Sequence, residues 1–240
     1  MTNETDSPAS AGTRRAWIKR AAAGAGAAAL AGLPAAQAQP RAGKKVVGVV
    51  LYRDFEVLDV FGPVEMWANA PGLDVILVAQ SAGPVRSAQG VSVVADYSFD
   101  TAPPLDIMMA PGGTGTLAEL RNETYLQYLR DQDRRTELTT SVCTGSALLA
   151  KAGLLKGRRA TTNKRFFSIA ASQDTSVDWV KRARWVEDGK YVTSSGVSAG
   201  TDMALAVVAR LHGQDAARGL ARALEYQWSE NPHDDPFAIG

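Results

Sequence analysis

Glu137-Leu-Thr-Thr-Ser-Val-Cys143-Thr-Gly-Ser-Ala-Leu-Leu-Ala150 passes from a β-branched run straight into a helix-forming one. This reads as a strand over Leu138–Val142 turning tightly into a helix over Ser146–Leu154, with Cys143 at the junction. Such a turn projects one side chain at the strand's carboxyl end, where α/β enzymes present an attacking atom. The first N–H groups of the helix face that side chain and favour an anion. The thiol is therefore expected to ionise more readily than a free one, whose pKa is about 8.5. Cysteine is also among the most buried residue types and often serves as a small hydrophobe. A plain core role stays open beside the reactive one.

Outward from this stretch the chain alternates strands and helices. Lys44–Tyr52 is a continuous apolar run flanked by charge, as expected of a strand buried on both faces of a parallel sheet. Asp74–Ala79, Val91–Ala95 and Leu105–Ala110 read as further strands. Helices are expected at Pro63–Asn69, with proline in the first turn, and at Thr116–Leu120, Glu123–Gln132, Lys164–Ala171, Ala199–Leu211 and Ala216–Tyr226. Asp188-Gly189 between Ala183–Glu187 and Lys190–Ser194 signals a two-residue hairpin. The pattern implies an α/β fold, a three-layer doubly wound sandwich with a mostly parallel central sheet. Ligand chemistry then belongs at the carboxyl ends of the strands.

The N-terminus is set apart from this domain. Thr13-Arg14-Arg15-Ala16-Trp17-Ile18-Lys19, an Ala/Gly-rich apolar run from Ala21 to Ala31 and Ala36-Gln37-Ala38 read as a twin-arginine signal over residues 1–38. The expectation is export by the twin-arginine machinery to the periplasm, with the mature protein beginning near Gln39 and not membrane-bound. The apolar run is shorter than the ~20 residues of a membrane span, and a signal retained as an anchor is the alternative to cleavage. Residues 39–240 suit one domain. In an oxidising compartment the single cysteine cannot form an internal disulfide; it is buried, paired between chains, or kept as a functional thiol.

The 26 basic and 25 acidic side chains nearly balance, which gives no basic face for a nucleic-acid partner. Arg158, Arg159, Lys164 and Arg165 form a small basic cluster expected to be solvated surface. The two histidines, His212 and His233, fall away from the predicted strand ends, which argues against a Cys-His hydrolytic pair and any metal site. No Gly-x-Gly-x-x-Gly follows the first strand, so a dinucleotide is not indicated; no cofactor is expected.

Three loops leave central strand ends: Arg53–Pro63, Pro111–Gly115 and Cys143–Gly145. Asp59 lies in the first, embedded in apolar residues, either as a cap for the helix near Pro63 or as a carboxyl touching the thiol. In the second case the two acids cannot both ionise cheaply and titrate as a unit. Gly112 and Gly113 form a turn whose bared N–H groups could face a developing negative charge, with Thr144 N–H as a second donor. Trp67, Thr114, Asn163 and Val197 are candidate pocket walls for a small-molecule substrate because they lie near the strand ends.

Val57-Leu58-Asp59 leading to Gly62-Pro63, Pro111-Gly-Gly-Thr-Gly115, Ser141-Val-Cys-Thr-Gly145, Ala152-Gly-Leu-Leu-Lys-Gly157 with Ala160-Thr-Thr162, and Gly196-Val-Ser-Ala-Gly-Thr-Asp202 resemble the ThiJ/PfpI superfamily. The resemblance is in order from about Val46 to Tyr226 and is strongest to the isonitrile hydratase branch. It implies a flavodoxin-like, class I glutamine-amidotransferase-like fold and a homodimer. It places a catalytic cysteine at Cys143, its acidic partner at Asp59 and the anion-stabilising backbone at Gly113 and Thr144. The implied reaction is a lyase's: the thiolate attacks an isocyanide carbon, and water resolves the thioimidate to an N-formamide. The branch also takes in the sensor halves of transcription regulators, which carry a DNA-binding region beyond this point; a chain ending at Gly240 is not expected to share that role. Glyoxalase or deglycase chemistry on small aldehydes, and a non-catalytic ligand-binding or redox-sensing domain using Cys143, are the alternatives. One departure stands out: the branch commonly has histidine and an aromatic where this chain has Asn163-Lys164.

Overall fold

The computed structural model describes residues 40–239, so the signal expected over residues 1–38 lies outside the described residues. Seven strands form the central sheet in the order β10-β11-β7-β6-β1-β2-β5. These are β1 (Lys45–Val50), β2 (Leu73–Ala79), β5 (Tyr97–Ser98), β6 (Ile107–Ala110), β7 (Leu138–Ser141), β10 (Trp185–Asp188) and β11 (Tyr191–Ser194). All neighbours run parallel except the β10–β11 hairpin at one edge. Its turn holds Gly189 at φ 61°, a backbone that glycine adopts without strain.

β1 and β6 read as continuous apolar runs because both sheet faces are covered, and every residue of β6 and β7 is buried, the hydroxyls of Thr139, Thr140 and Ser141 included. Helices α1 (Val57–Asn69), α6 (Ala199–His212) and α7 (Gln214–Ala223) pack on one another. A second group, α2 (Thr116–Glu119), α3 (Glu123–Asp133), α4 (Gly145–Lys151) and α5 (Phe167–Ala171), does the same. The result is the expected three-layer α/β sandwich, with Trp67, Phe55, Leu148 and Met203 among its fully buried side chains.

Register sets the site. β1 pairs with β6 and β6 with β7, ending at the partners Ala110 and Ser141. The loops after these three strands therefore emerge side by side.

Several expectations are corrected. Helix α1 begins at Val57, six residues before Pro63, which sits inside it. Proline lacks an N–H, so the Asp59 carbonyl has no i+4 donor at that point of the helix. Sequence reading missed β3 (Gly83–Arg86), paired antiparallel with β4 (Ser92–Ala95), and the two-residue pair β8 (Arg159–Ala160) and β9 (Asp178–Trp179). Lys164 is not solvated surface: its ammonium is buried, donating to Thr161 Oγ1 and the Ala183 carbonyl at 2.6 Å each. Arg158, Arg159 and Arg165 are exposed.

Candidate active site

The β7–α4 junction turns so sharply that Cys143 adopts φ 57°, left-handed backbone that costs a non-glycine residue about 1–2 kcal/mol. The surroundings hold it there. Its N–H donates to the Ser194 and Ser195 carbonyls at 3.2 and 3.3 Å, and its carbonyl accepts from Thr162 Oγ1 and Ser146 Oγ, both at 3.1 Å. Gly145 follows because a Cβ there would fall on the Ala110 carbonyl. With the backbone fixed on both sides, the side chain has one direction left, towards the ends of β1 and β6.

The facing loops are zipped together through their backbones. Glu56 N–H donates to Gly112 O at 2.8 Å, Gly115 N–H to Asp54 O at 3.1 Å, and Phe55 bridges Gly113. Gly113 has φ 145°, and any Cβ on it would meet the Glu56 nitrogen at 2.6 Å and Phe55 Cα at 2.7 Å. Glycine is required there by close approach.

Asp59 is fully buried in the first turn of α1 and reaches across to this loop, where its Oδ2 accepts from Gly112 N–H at 2.9 Å. It caps nothing. Its Oδ1 is buried without a hydrogen-bond partner, and the Cys143 thiol meets the same carboxyl. Burial holds the Asp59 carboxyl well above the usual carboxylate range, against the pull of Gly112 N–H, and the charge of Glu56 adds to the rise. A protonated Oδ1 would donate a hydrogen bond that the ionised form cannot, which makes the thiolate its natural acceptor.

The thiol itself departs from expectation. Burial pushes Cys143 well above its ordinary value and the charge of Asp59 adds to that. Thr144 N–H, the Asn163 amide and the Thr144 hydroxyl pull the other way without overcoming it. The helix terminus alone thus does not set the ionisation of a cysteine that is only 5% exposed. Two buried acids in contact keep at least one proton between them.

Asn163 donates from Nδ2 to Cys143 Sγ at 3.1 Å. Its Oδ1 accepts from Phe166 N–H at 3.0 Å, which fixes the amide so that the NH2 group faces sulfur. The residue expected as a pocket wall is thus also a donor to the thiol. Gly196 passes close behind, where a Cβ would fall on Asn163 Nδ2 and 2.8 Å from the sulfur.

The sulfur opens on a cavity of about 190 Å³ whose walls are mostly apolar. Gly113, Thr114, Thr144, Asn163 and Val197 line it with Cys143, and so do Phe166, Ile169 and Leu117. Trp67 does not. It is wholly buried in the core, its Nε1 donating to the Ala204 carbonyl at 3.1 Å, so its expected place in the wall is corrected. Gly113 N–H, expected to be bare, donates to Thr144 Oγ1 at 3.2 Å. Behind it the hydroxyls of Thr144, Thr116 and Tyr52 stand in line at 2.8 and 2.9 Å, ending on the Pro111 carbonyl at 2.9 Å. This buried chain carried no sequence signal beyond hydroxyl residues near strand ends. Among the described residues, no group of three or more His, Cys, Asp or Glu is placed to hold a metal ion.

A parallel sheet, a left-handed cysteine between strand and helix, and an acid from the first helix define a class of α/β proteins that present a thiol at the strand ends. The chain belongs to the DJ-1/PfpI family, which it matches over residues 44–210. It is 34% identical over 180 residues to the isonitrile hydratase of Pseudomonas putida, covering 75% of this chain and 78% of that enzyme. The deglycase PfpI of Pyrococcus furiosus is 27% identical over 144 residues, 59% of this chain and 84% of that one. Among solved structures, a THiJ/PfpI family protein from Pseudomonas syringae superposes with a TM-score of 0.70 at 32% identity, covering 86% of this chain and 87% of that one. Family and relatives support an enzymatic role in this broad sense.

Proposed function

We propose that the protein is a cysteine-dependent hydratase of a small electrophilic carbon, of the isonitrile hydratase kind. The observation that carries this reading is Cys143 beside the buried Asp59, a carboxyl that burial holds well above its usual range, at the floor of a mostly apolar cavity. Isocyanide hydration needs a nucleophile and an acid acting on the same carbon, and the pair supplies both.

The thiolate attacks the terminal isocyanide carbon, forming the C–S bond, while Asp59 delivers its proton to that carbon to give a thioimidate. Water then adds across the C=N bond, its hydroxyl to carbon and its proton to nitrogen. Collapse breaks the C–S bond, returns the thiolate, and passes the hydroxyl proton to Asp59. One isocyanide and one water become one N-formamide, and the pair is restored. Asn163 Nδ2 and Thr144 N–H hold the sulfur's negative charge at the start and at the end of the cycle. Small aldehydes, the substrates of the alternative reading, would need no acid poised on carbon.

Formamide formation from an aryl isocyanide, followed by absorbance, tests the proposal. Turnover that disappears in Cys143→Ala is expected; no turnover, or turnover that survives the substitution, would overturn it. Export to the periplasm and a homodimer belong to the same reading, to be checked by cell fractionation with N-terminal sequencing and by sedimentation.

A further inference from the structure

The cavity over Cys143 carries one fixed charge, and its sign limits what can enter. Glu56 lines it, and among the described residues no lysine, arginine or histidine does. The carboxylate is not a loose surface group. Its Oε2 accepts from Gln89 Nε2 at 2.8 Å, and Gln89 Oε1 is held by Val57 N–H at 3.0 Å. Its backbone is pinned by the bond from Glu56 N–H to Gly112 O at 2.8 Å, part of the lattice that also shapes the floor of the site. The remaining walls offer hydroxyls, one amide already committed to sulfur, and the apolar faces of Leu117, Phe166 and Ile169. Arg165 stands over the Phe166 ring, 5.3 Å from its centroid, but is exposed and outside the lining.

We propose that Glu56 is a specificity-determining residue that makes Cys143 accessible to neutral or cationic small apolar electrophiles and disfavours anionic ones. This rests on the proposed reaction for its substrate class, isocyanides bearing an uncharged or ammonium substituent and no carboxylate. The charge argument itself needs only a reactive thiol in this cavity. A negative charge brought within several ångströms of a half-buried carboxylate is repelled far more strongly than in bulk water, and salt weakens the repulsion at the open mouth.

Iodoacetamide and iodoacetate are nearly isosteric and differ by one negative charge. Each alkylates by the same step: sulfur attacks the CH2 carbon, the C–S bond forms and iodide leaves. The ratio of their rates on Cys143, divided by the same ratio for free glutathione, cancels the thiolate fraction and isolates the charge preference of the cavity. The expected normalised ratio is about five- to tenfold in favour of the amide at low ionic strength. It should fall towards unity in Glu56→Gln, which keeps the Gln89 contact, and fall partway in high salt. A ratio near unity in the wild type, a ratio unchanged by Glu56→Gln, or no labelling of Cys143 by either reagent would overturn the proposal. Alkylation requires no turnover, so a protein that shows the ratio but hydrates no isocyanide keeps the role of Glu56 and loses the reaction. Where turnover is present, kcat/KM for matched carboxylate and aminomethyl aryl isocyanides should follow the same order.

Discussion

Two buried polar clusters lie on either side of the dipeptide Asn163-Lys164, and they solve opposite problems. On one side Asn163 donates to Cys143, which in turn meets the Asp59 carboxyl, with Asp59 Oδ1 left without a hydrogen-bond partner. On the other, Lys164 and Arg184 meet Asp202 and Asp235, cations against anions. There Asp202 accepts from Arg184 Nε at 2.7 Å, from Tyr226 OH at 3.1 Å and from Ser229 N–H at 2.9 Å, and Arg184 N–H is tied to the Pro232 carbonyl at 2.7 Å. Compensated charge fastens the C-terminal tail to the sheet. Two acids in the same kind of burial cannot both ionise cheaply and keep a proton between them. The difference teaches that burial alone does not mark a candidate reactive site; burial without a compensating charge does.

Replacing Asp59 by asparagine should break the comparison most sharply. Activity is expected to fall about 10²–10⁴-fold with loss of the proton donor, while stability at pH 7 rises. The sign follows from the raised carboxyl: in the unfolded chain it ionises near its ordinary 3.8, whereas in the folded protein it keeps its proton to much higher pH. Wild-type stability therefore declines as pH climbs from about 4 until the folded carboxyl ionises, by up to about 1.4 kcal/mol per pH unit. Thermal melts across pH should show the two proteins converging near pH 4 and Asp59→Asn above the wild type at neutrality. A destabilised variant at pH 7 would mean that the carboxyl is ionised and compensated.

Arg184→Met should do the reverse. It strands Asp202 in the interior and is expected to cost about 3–5 kcal/mol in urea unfolding. The alkylation rate of Cys143 in the remaining folded protein should stay near wild type. A large drop in that rate would show that the two clusters act as one.

Asn163→Ala sharpens the boundary with the smallest effect. Removing one donor to a charged sulfur is worth about 1.5–3 kcal/mol, so the pH profile of alkylation should move upward and the rate at pH 7 fall by about tenfold or more. Unfolding should change little, because Asn163 lies at the cavity edge. A profile that does not move would remove Asn163 from the thiol's ionisation.

Much of this was legible in the chain because it follows from local rules. Continuous apolar runs mark β1 and β6, Asp188-Gly189 marks the hairpin, and the switch from β-branched to helix-forming residues marks β7 and places Cys143 at the junction. The failures share a cause in tertiary contact. Pro63 is a good opening residue for a helix, but the helix begins earlier because packing against α6 rewards the extra turns and tolerates the lost bond. Lys164 reads as surface in a run of basic residues, yet Asp235, 71 positions later, makes its burial possible. Trp67 lies close to the strand ends in sequence but points into the layer between α1 and α6. The pairing of Cys143 with Asp59 was inferred from converging strand ends; the raised thiol and the committed Gly113 N–H depend on side-chain burial that no spacing reveals.

The left-handed backbone at Cys143 has a consequence for how this lineage can change. Glycine is the residue that this conformation favours, and one base substitution converts a cysteine codon to a glycine codon. At this codon mutational access and local conformational preference push the same way, and both push away from sulfur. A descendant relieved of selection for chemistry should drift to Val-Gly-Thr-Gly here and keep its fold, so glycine at this position would mark a relative that has become a binding module.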